Sequence, residues 1–183
     1  AGTVTITYTL PTGCITTALF TVNPMPSAIT GWRGICLGST TTLSDAVPGG
    51  TWSSSNNLVA TVGSSTGIVY GVTIGNATIT YTLGAGCNAM AMVTVTPYPT
   101  AYPVLGGGTY CAGTGGVDIM LGGSELSVSY LLYYDSSVTG YVAGTGSPID
   151  FGLLTSAGTY TVRATNIISG CQTNMTGSAV VTI

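Results

Sequence analysis

The chain has 183 residues, of which 4% are charged, with a formal net charge of −3, two arginines, no lysine and no histidine. An ordinary soluble domain is about one-quarter charged, so this composition lacks the side chains on which most acid–base and metal chemistry rests. Nucleic acid is excluded as a partner, because a phosphate backbone would meet almost no counter-charge.

The first predicted elements are two strands, about Thr3 to Leu10 and Thr16 to Val22, separated by "PTGC". In "TITYTL" Ile and Tyr alternate with Thr, a period of two that gives one apolar and one hydroxyl face. The same segment returns as "TITYTLGAGC" at Thr78 to Cys87, so that Cys14 falls on Cys87, Tyr8 on Tyr81, Val22 on Val95 and Pro24 on Pro97, all at a shift of 73 residues. A repeat of that length is of domain size. Residues 1–22 therefore read as the C-terminal fragment of a preceding repeat, 26–96 as one full repeat, and 101–183 as a different but related module.

Proline pairs mark the joins: "VNPMPSAI" and "VTPYPTAYP" favour an extended, semi-rigid path and disfavour helix or central strand. Within the full repeat, "VPGG" at Val47 to Gly50 and "GSSTG" at Gly63 to Gly67 punctuate runs too short for helices. Farther on, Tyr160, Val162 and Ala164 alternate with Thr161, Arg163 and Thr165. Nothing shows a 3.6-residue period. The expected fold class is all-β: tandem immunoglobulin-like β-sandwich domains joined by Pro-rich linkers.

Cys36 precedes the strand "TTTL" at the front of one module and Cys87 follows its penultimate strand; Cys111 and Cys171 occupy the same two places in the next. Matching places predict matching bonds, Cys36 with Cys87 and Cys111 with Cys171, each a staple for a small core. Buried free thiols are the other reading, while a metal site is disfavoured because Cys-x-x-Cys and His are both missing. Cys14 is left unpaired in this fragment. Disulfides imply an oxidising compartment, hence an exported, extracellular or cell-surface protein. Mean hydropathy is positive, yet Thr, Ser or Gly interrupts every apolar run well short of the roughly 20 residues a membrane helix needs, so no membrane insertion is expected.

The block Gly34 to Cys87, with "GTWSSSN", "VATV", "TGIV" and "ATITYT" in order, resembles the bacterial immunoglobulin-like repeats, group 2, found in tandem in giant surface proteins of gliding bacteria that use type IX secretion. The segments Tyr110 to Glu125 and Phe151 to Ile183 are similar to a second repeat type of the same adhesins. The resemblance implies a stalk or filament role in attachment, gliding or prey capture. It carries over no binding or catalytic residue.

Individual residues are then weighed against packing. Trp52 reads as the core aromatic of a central strand, and Trp32, next to the linker, as a wedge between domains. In "YLLYYD" aromatics fall on both faces of one strand, so at least one of Tyr130, Tyr133 and Tyr134 is expected to be exposed; with Trp32 these form the candidate contact surface. Four of the five acids, Asp118, Glu125, Asp135 and Asp150, lie in the last module, but their spacing matches no calcium loop. A nucleophilic Ser or Thr would have only carboxylates as base, and no spacing proposes a carboxylate pair. No catalytic residue, metal or cofactor is assigned. The reading is a structural, adhesive segment of a secreted filament or giant adhesin. Its partners would be further copies in a homo-oligomer or filament, with cell-surface glycans as a second class; the alternative is a carbohydrate-binding β-sandwich module. A surface with so few charged guards against edge-to-edge association favours the multi-copy reading.

Overall fold

The computed structural model describes residues 1–183 apart from the side chain of Ala85, and its architecture is all-β. Eighteen strands and one three-residue 3-10 turn, Gly84–Gly86, make up its regular elements. The strands are β1 Gly2–Thr9, β2 Ile15–Val22, β3 Gly34–Cys36, β4 Thr40–Thr42, β5 Thr51–Ser54, β6 Ala60–Val62, β7 Ile68–Gly71, β8 Gly75–Thr82 and β9 Asn88–Thr96. They continue as β10 Val104–Gly106, β11 Gly108–Thr109, β12 Val117–Leu121, β13 Val128–Tyr134, β14 Ser137–Ala143, β15 Ile149–Leu154, β16 Gly158–Asn166, β17 Gln172–Asn174 and β18 Ala179–Thr182.

Alternation drives each element to its place. In β8 the odd positions Ala77, Ile79 and Tyr81 are buried and the threonines between them face outward. A sheet in the order β3-β9-β8-β5 closes over a second sheet, β4-β7-β6. Between them lies one core, in which Leu43, Trp52, Val69, Ile79, Val93 and Val95 meet. Trp52 and Tyr81, directly paired across β5 and β8, have ring centroids 4.6 Å apart, which places Trp52 in the core as its position predicts.

A second core, with Ile119, Leu121, Tyr130, Leu132, Val162 and Val181, fills the space between sheet β10-β12-β15 and the larger sheet β11-β18-β16-β13-β14, to which β17 adds on β16. No strand of one sandwich pairs with a strand of the other. The two are joined by residues 97–103, which form no regular strand but are tied on both sides: the Tyr98 and Ser39 hydroxyls lie 3.0 Å apart, and Glu125 accepts from the Thr100 N–H and hydroxyl.

The hairpin β1-β2 is a sheet by itself. Every residue of both strands is exposed, and the strands pair only with each other, Val4 opposite Phe20 and Ile6 opposite Ala18. It is not an added edge of the neighbouring sandwich.

Candidate functional site

Two of the three buried polar residues, Thr96 and Ser169, meet at the joint between the two sandwiches, while the third, Ser124, donates to the Ser147 carbonyl within the second sandwich. Thr96 ends β9, and Ser169 and Cys171 sit in the turn between β16 and β17; the three are among the least exposed polar and thiol groups of the chain. Burying a hydroxyl without a partner is costly. Here the Thr96 and Ser169 hydroxyls lie 2.5 Å apart, and the Ser169 hydroxyl also reaches Cys171 Sγ at 2.9 Å. From the other side the Trp32 indole N–H donates to the Ser169 carbonyl at 3.0 Å. Gly34 makes the approach possible, because a Cβ there would collide with the Ser169 Cα and lie 2.5 Å from the Ile168 carbonyl oxygen.

The disulfide of the structure is part of this joint. Cys36 bonds Cys171, with the two Cα atoms 5.6 Å apart and the residues 135 positions apart in sequence. This corrects the expected pairing of Cys36 with Cys87 and Cys111 with Cys171: Cys87, Cys111 and Cys14 are free. Register supplies the reason. Cys36 lies level with Thr96 at the end of β9, whereas Cys87 immediately precedes Asn88 at its start. Nine residues separate the two levels, about 30 Å along the strand, against the 7 Å at most that a disulfide spans. In the second sandwich the same separation holds. Cys171 is level with Asn166, to whose N–H it is bonded, and Cys111 follows β11, which runs beside the far end of β18. The two cysteines of each module stand at opposite poles, so the bond that forms crosses from one sandwich to the other.

The residues expected to form a contact surface are dispersed. Trp32 is 60% exposed and serves the joint through its N–H, with Ile168 beside it in a shallow cavity. Tyr130 is fully buried, a correction to its reading as a surface residue: its ring belongs to the second core, its hydroxyl accepts from the Glu125 N–H, and burial pushes its phenol above the ordinary value. Tyr134 packs its ring 5.1 Å from Tyr160 and donates to the Ala157 carbonyl. Adjacent strand residues face opposite ways, and Tyr134, in phase with Tyr130 and Leu132, packs against the second core, so the two adjacent tyrosines do not share a face and none of Tyr130, Tyr133 and Tyr134 is fully exposed.

Tyr133 alone faces a cleft. This depression of about 330 Å³ lies on the larger sheet, where Tyr133, Thr161, Arg163 and Asn174 come from three neighbouring strands and Ser136 from the turn before β14. The Arg163 guanidinium carbon stands 5.0 Å from the Tyr133 ring centroid, a cation–π arrangement. Its Nε is buried with no hydrogen-bond partner. Ser136 lines the rim from a two-residue hairpin turn in which it and Asp135 both take left-handed backbone angles, φ 74° and 43°, as the tightest hairpins require. Sequence reasoning put Arg163 on the outward face of β16 but gave no sign of the cleft, because Asn174 joins it through pairing set by a turn. Among the described residues no group of three or more potential metal ligands comes together, and no helix is long and apolar enough to cross a membrane.

Residues 37–95 match the model of the bacterial Ig-like domain (group 2) family. No curated protein sequence matches the chain. Among solved structures the chain is similar to murine CEACAM1b at 11% identity, covering 84% of this chain and 98% of that one with a TM-score of 0.47. It is similar also to the Clostridium thermocellum CbhA fibronectin(III)-like modules at 13% identity, over 85% and 93% of the two chains, TM-score 0.46. A third likeness is to domains 4 and 5 of the S-layer protein SbsC, 13% identical over 87% and 100% of the two chains with a TM-score of 0.42.

Proposed function

We propose that the chain is a structural, adhesive segment of a secreted filament or giant adhesin, built of Ig-like sandwiches in tandem and assembling with further copies of itself. The observation that carries this reading is the joint. A stalk must keep its modules on a fixed axis under load, and here one disulfide, two buried hydroxyls and an indole hydrogen bond fix one sandwich on the next. The disulfide belongs to an oxidising, extracellular setting. Exposed β-surface rich in Thr and aliphatic side chains, with so few charges to repel a neighbour, suits lateral contacts that desolvate no ions. Sedimentation of the native material tests the reading: a multimer insensitive to salt is expected, whereas a monodisperse single-chain rod at micromolar concentration would overturn it.

A second reading, a carbohydrate-binding module, is favoured by Arg163, whose Nε has no hydrogen-bond partner, beside Tyr133 and Asn174. An arginine of this kind takes a carboxylate in two parallel hydrogen bonds, so the sugar would be an acidic one. Binding of a uronic-acid oligosaccharide that Arg163→Met abolishes is the expected result; equal binding of the neutral sugar, or none of either, would exclude it.

A further inference from the structure

The second sandwich carries charge of opposite sign on its two outer faces. In β12 Ile119 and Leu121 turn into the core, so Asp118 and Met120 point out. In β15 Ile149 and Phe151 face the core, and Asp150 points out opposite Met120. Desolvation, then the hydrogen bond and charge of Asp150, push the Asp118 carboxyl above its ordinary value, the mark of two acids held side by side. Exposed apolar side chains flank the pair: Leu153 is level with Asp118, and Leu105 with Met120.

On the other side of the core, β16 turns Val162 and Ala164 inward and Arg163 outward. Arg163 stands over Tyr133 in the cleft, its Nε buried without a partner, and exposed Tyr141 lies nearby on the edge strand β14. The chain has only seven charged side chains, and most of the others are engaged. Arg33 donates to the Ile29 carbonyl, Asp45 accepts from Ser27 and Val47, and Glu125 accepts from Thr100. Asp135 sits in the tight turn before β14. A half-buried guanidinium lacking a partner at Nε is costly, and adjacent carboxyls repel. A single contact relieves both.

We propose that successive copies of this chain stack through these two faces, the Arg163 cleft of one copy receiving the Asp118–Asp150 pair of the next. The inference rests on the assembly reading and deepens it by naming the contact. A second copy is the occupant because the faces are complementary in charge, and because each offers apolar surface beside its charge, Leu105, Met120 and Leu153 on one and Tyr133 and Tyr141 on the other. Such a contact is heterologous: each copy leaves one face open for the next, so the stack grows into a ring or a filament. The guanidinium takes a carboxylate in paired hydrogen bonds and fixes the register of an otherwise neutral interface. Enclosed by apolar side chains, the pair is screened little by salt.

Charge reversal, read by sedimentation, tests the contact. Arg163→Asp and Asp150→Arg should each raise the concentration of half-assembly by about tenfold or more, the effect of a like-charge contact across an interface. The chain carrying both reversals should return to within about threefold of wild type. The two positions lie on opposite outer faces of one sandwich, whose sheets stand about 10 Å apart, so this rescue can come only from contact between copies; a sugar carboxylate in the cleft would give none. A second arm uses the lack of lysine in the chain and does not depend on the reversed variants folding. Arg163→Lys offers a single side-chain amine, which a carbodiimide couples to a carboxylate in contact with it. Dimers cross-linked from position 163 to Asp118 or Asp150 are expected. No rescue by the double reversal in folded chain, or cross-links confined to Asp135 of the same chain or spread evenly over all acids, would overturn the inference. Multimers that neither single reversal weakens keep the assembly and discard this contact, and a wild-type chain that stays monomeric discards both.

Discussion

Trp32 and Ser169 are 137 residues apart in sequence and joined by a hydrogen bond of 3.0 Å from the indole N–H to the serine carbonyl. Around that contact lies the bond of Cys36 to Cys171, which closes a loop spanning most of both sandwiches. In the chain-entropy model a loop of this length stabilises by up to about 5 kcal/mol when both sandwiches unfold together. Cys36→Ser should therefore lower the melting temperature and split one calorimetric transition into two. Small-angle scattering of the variant should show a hinge. An unchanged single transition with unchanged scattering would mean that the hydrogen bonds and linker hold the joint without the disulfide.

Gly34 tests the same joint without altering a bond. Its missing Cβ leaves room for the Ser169 and Ile168 backbone, which cannot yield as a flexible side-chain tip would. Gly34→Ala should open the joint as Cys36→Ser does, detected by faster hydrogen exchange at Ser169 and Cys171 while both cores keep their protection. Wild-type exchange rates at those two amides in the variant would show that the gap closes by adjustment elsewhere.

In the first sandwich, Trp52→Ala should cost about 3–5 kcal/mol, the usual range for removing a buried large aromatic. Tyr81→Phe keeps the ring stacked on Trp52 and removes two hydrogen bonds, from its hydroxyl to the Val47 carbonyl at 2.7 Å and from the Gly50 N–H at 2.8 Å, so a loss of about 1–2 kcal/mol is expected. Leu58, 78% exposed, is the control: Leu58→Ala should change urea stability by less than about 0.5 kcal/mol.

Two carboxyls should titrate in opposite directions. Burial works to raise Asp45, but the Val47 and Ser27 N–H groups and the Ser27 hydroxyl outweigh it and hold its carboxyl below the usual range. A depressed folded value stabilises above the unfolded value near 3.9 and is lost as pH falls through the folded value. For Asp118, desolvation and then the hydrogen bond and charge of Asp150 act upward. Its ionised form therefore weighs against folding, a penalty that grows as pH rises from the unfolded to the folded value. Carboxyl titration by NMR should place Asp45 below and Asp118 above the ordinary value, and Asp150→Asn should bring Asp118 down. No movement of Asp118 in that variant would remove Asp150 as a cause.

Much of the fold was legible because strand alternation is a local property: Ile79, Tyr81 and Leu83 are buried as their spacing requires, and the hairpin β1-β2 falls within a residue of its predicted bounds. The cysteine pairing was not legible, since equal places in two modules do not say which pole of a sandwich each place occupies. That depends on the parallel pairing of β3 with β9, a contact between residues some 60 positions apart in register. Tyr130 was misread for a related reason. A strand with aromatics at adjacent positions buries whichever face a second sheet covers, and β12 and β15 supply that cover from elsewhere in the chain. Ser169 and Gly34 carried no signal at all, because a buried serine and a close-approach glycine look like any others in a chain this rich in both.

The last prediction concerns the open hairpin. Val4, Ile6, Tyr8, Phe20 and Val22 lie on one face of β1-β2, between 52% and 64% exposed. Their counterparts at the 73-residue shift, Ala77, Ile79, Tyr81, Val93 and Val95, are all at most 4% exposed in the first core. The same face is thus a core surface in one copy and uncovered in the other. A two-stranded hairpin is marginal by itself in water, so in dilute, monomeric chain the amides of Gly2 to Val22 should exchange close to the unprotected rate while those of β8 and β9 resist. Protection should appear with multimerisation, as apolar surface is covered at about 25 cal/mol per Å². Phe20→Thr should leave both cores within about 0.5 kcal/mol of wild type and shift the assembly to higher concentration. Strong protection of β1-β2 in a chain shown by sedimentation to be monomeric would mean that the hairpin stands without cover, and would sink the idea that a neighbour completes it.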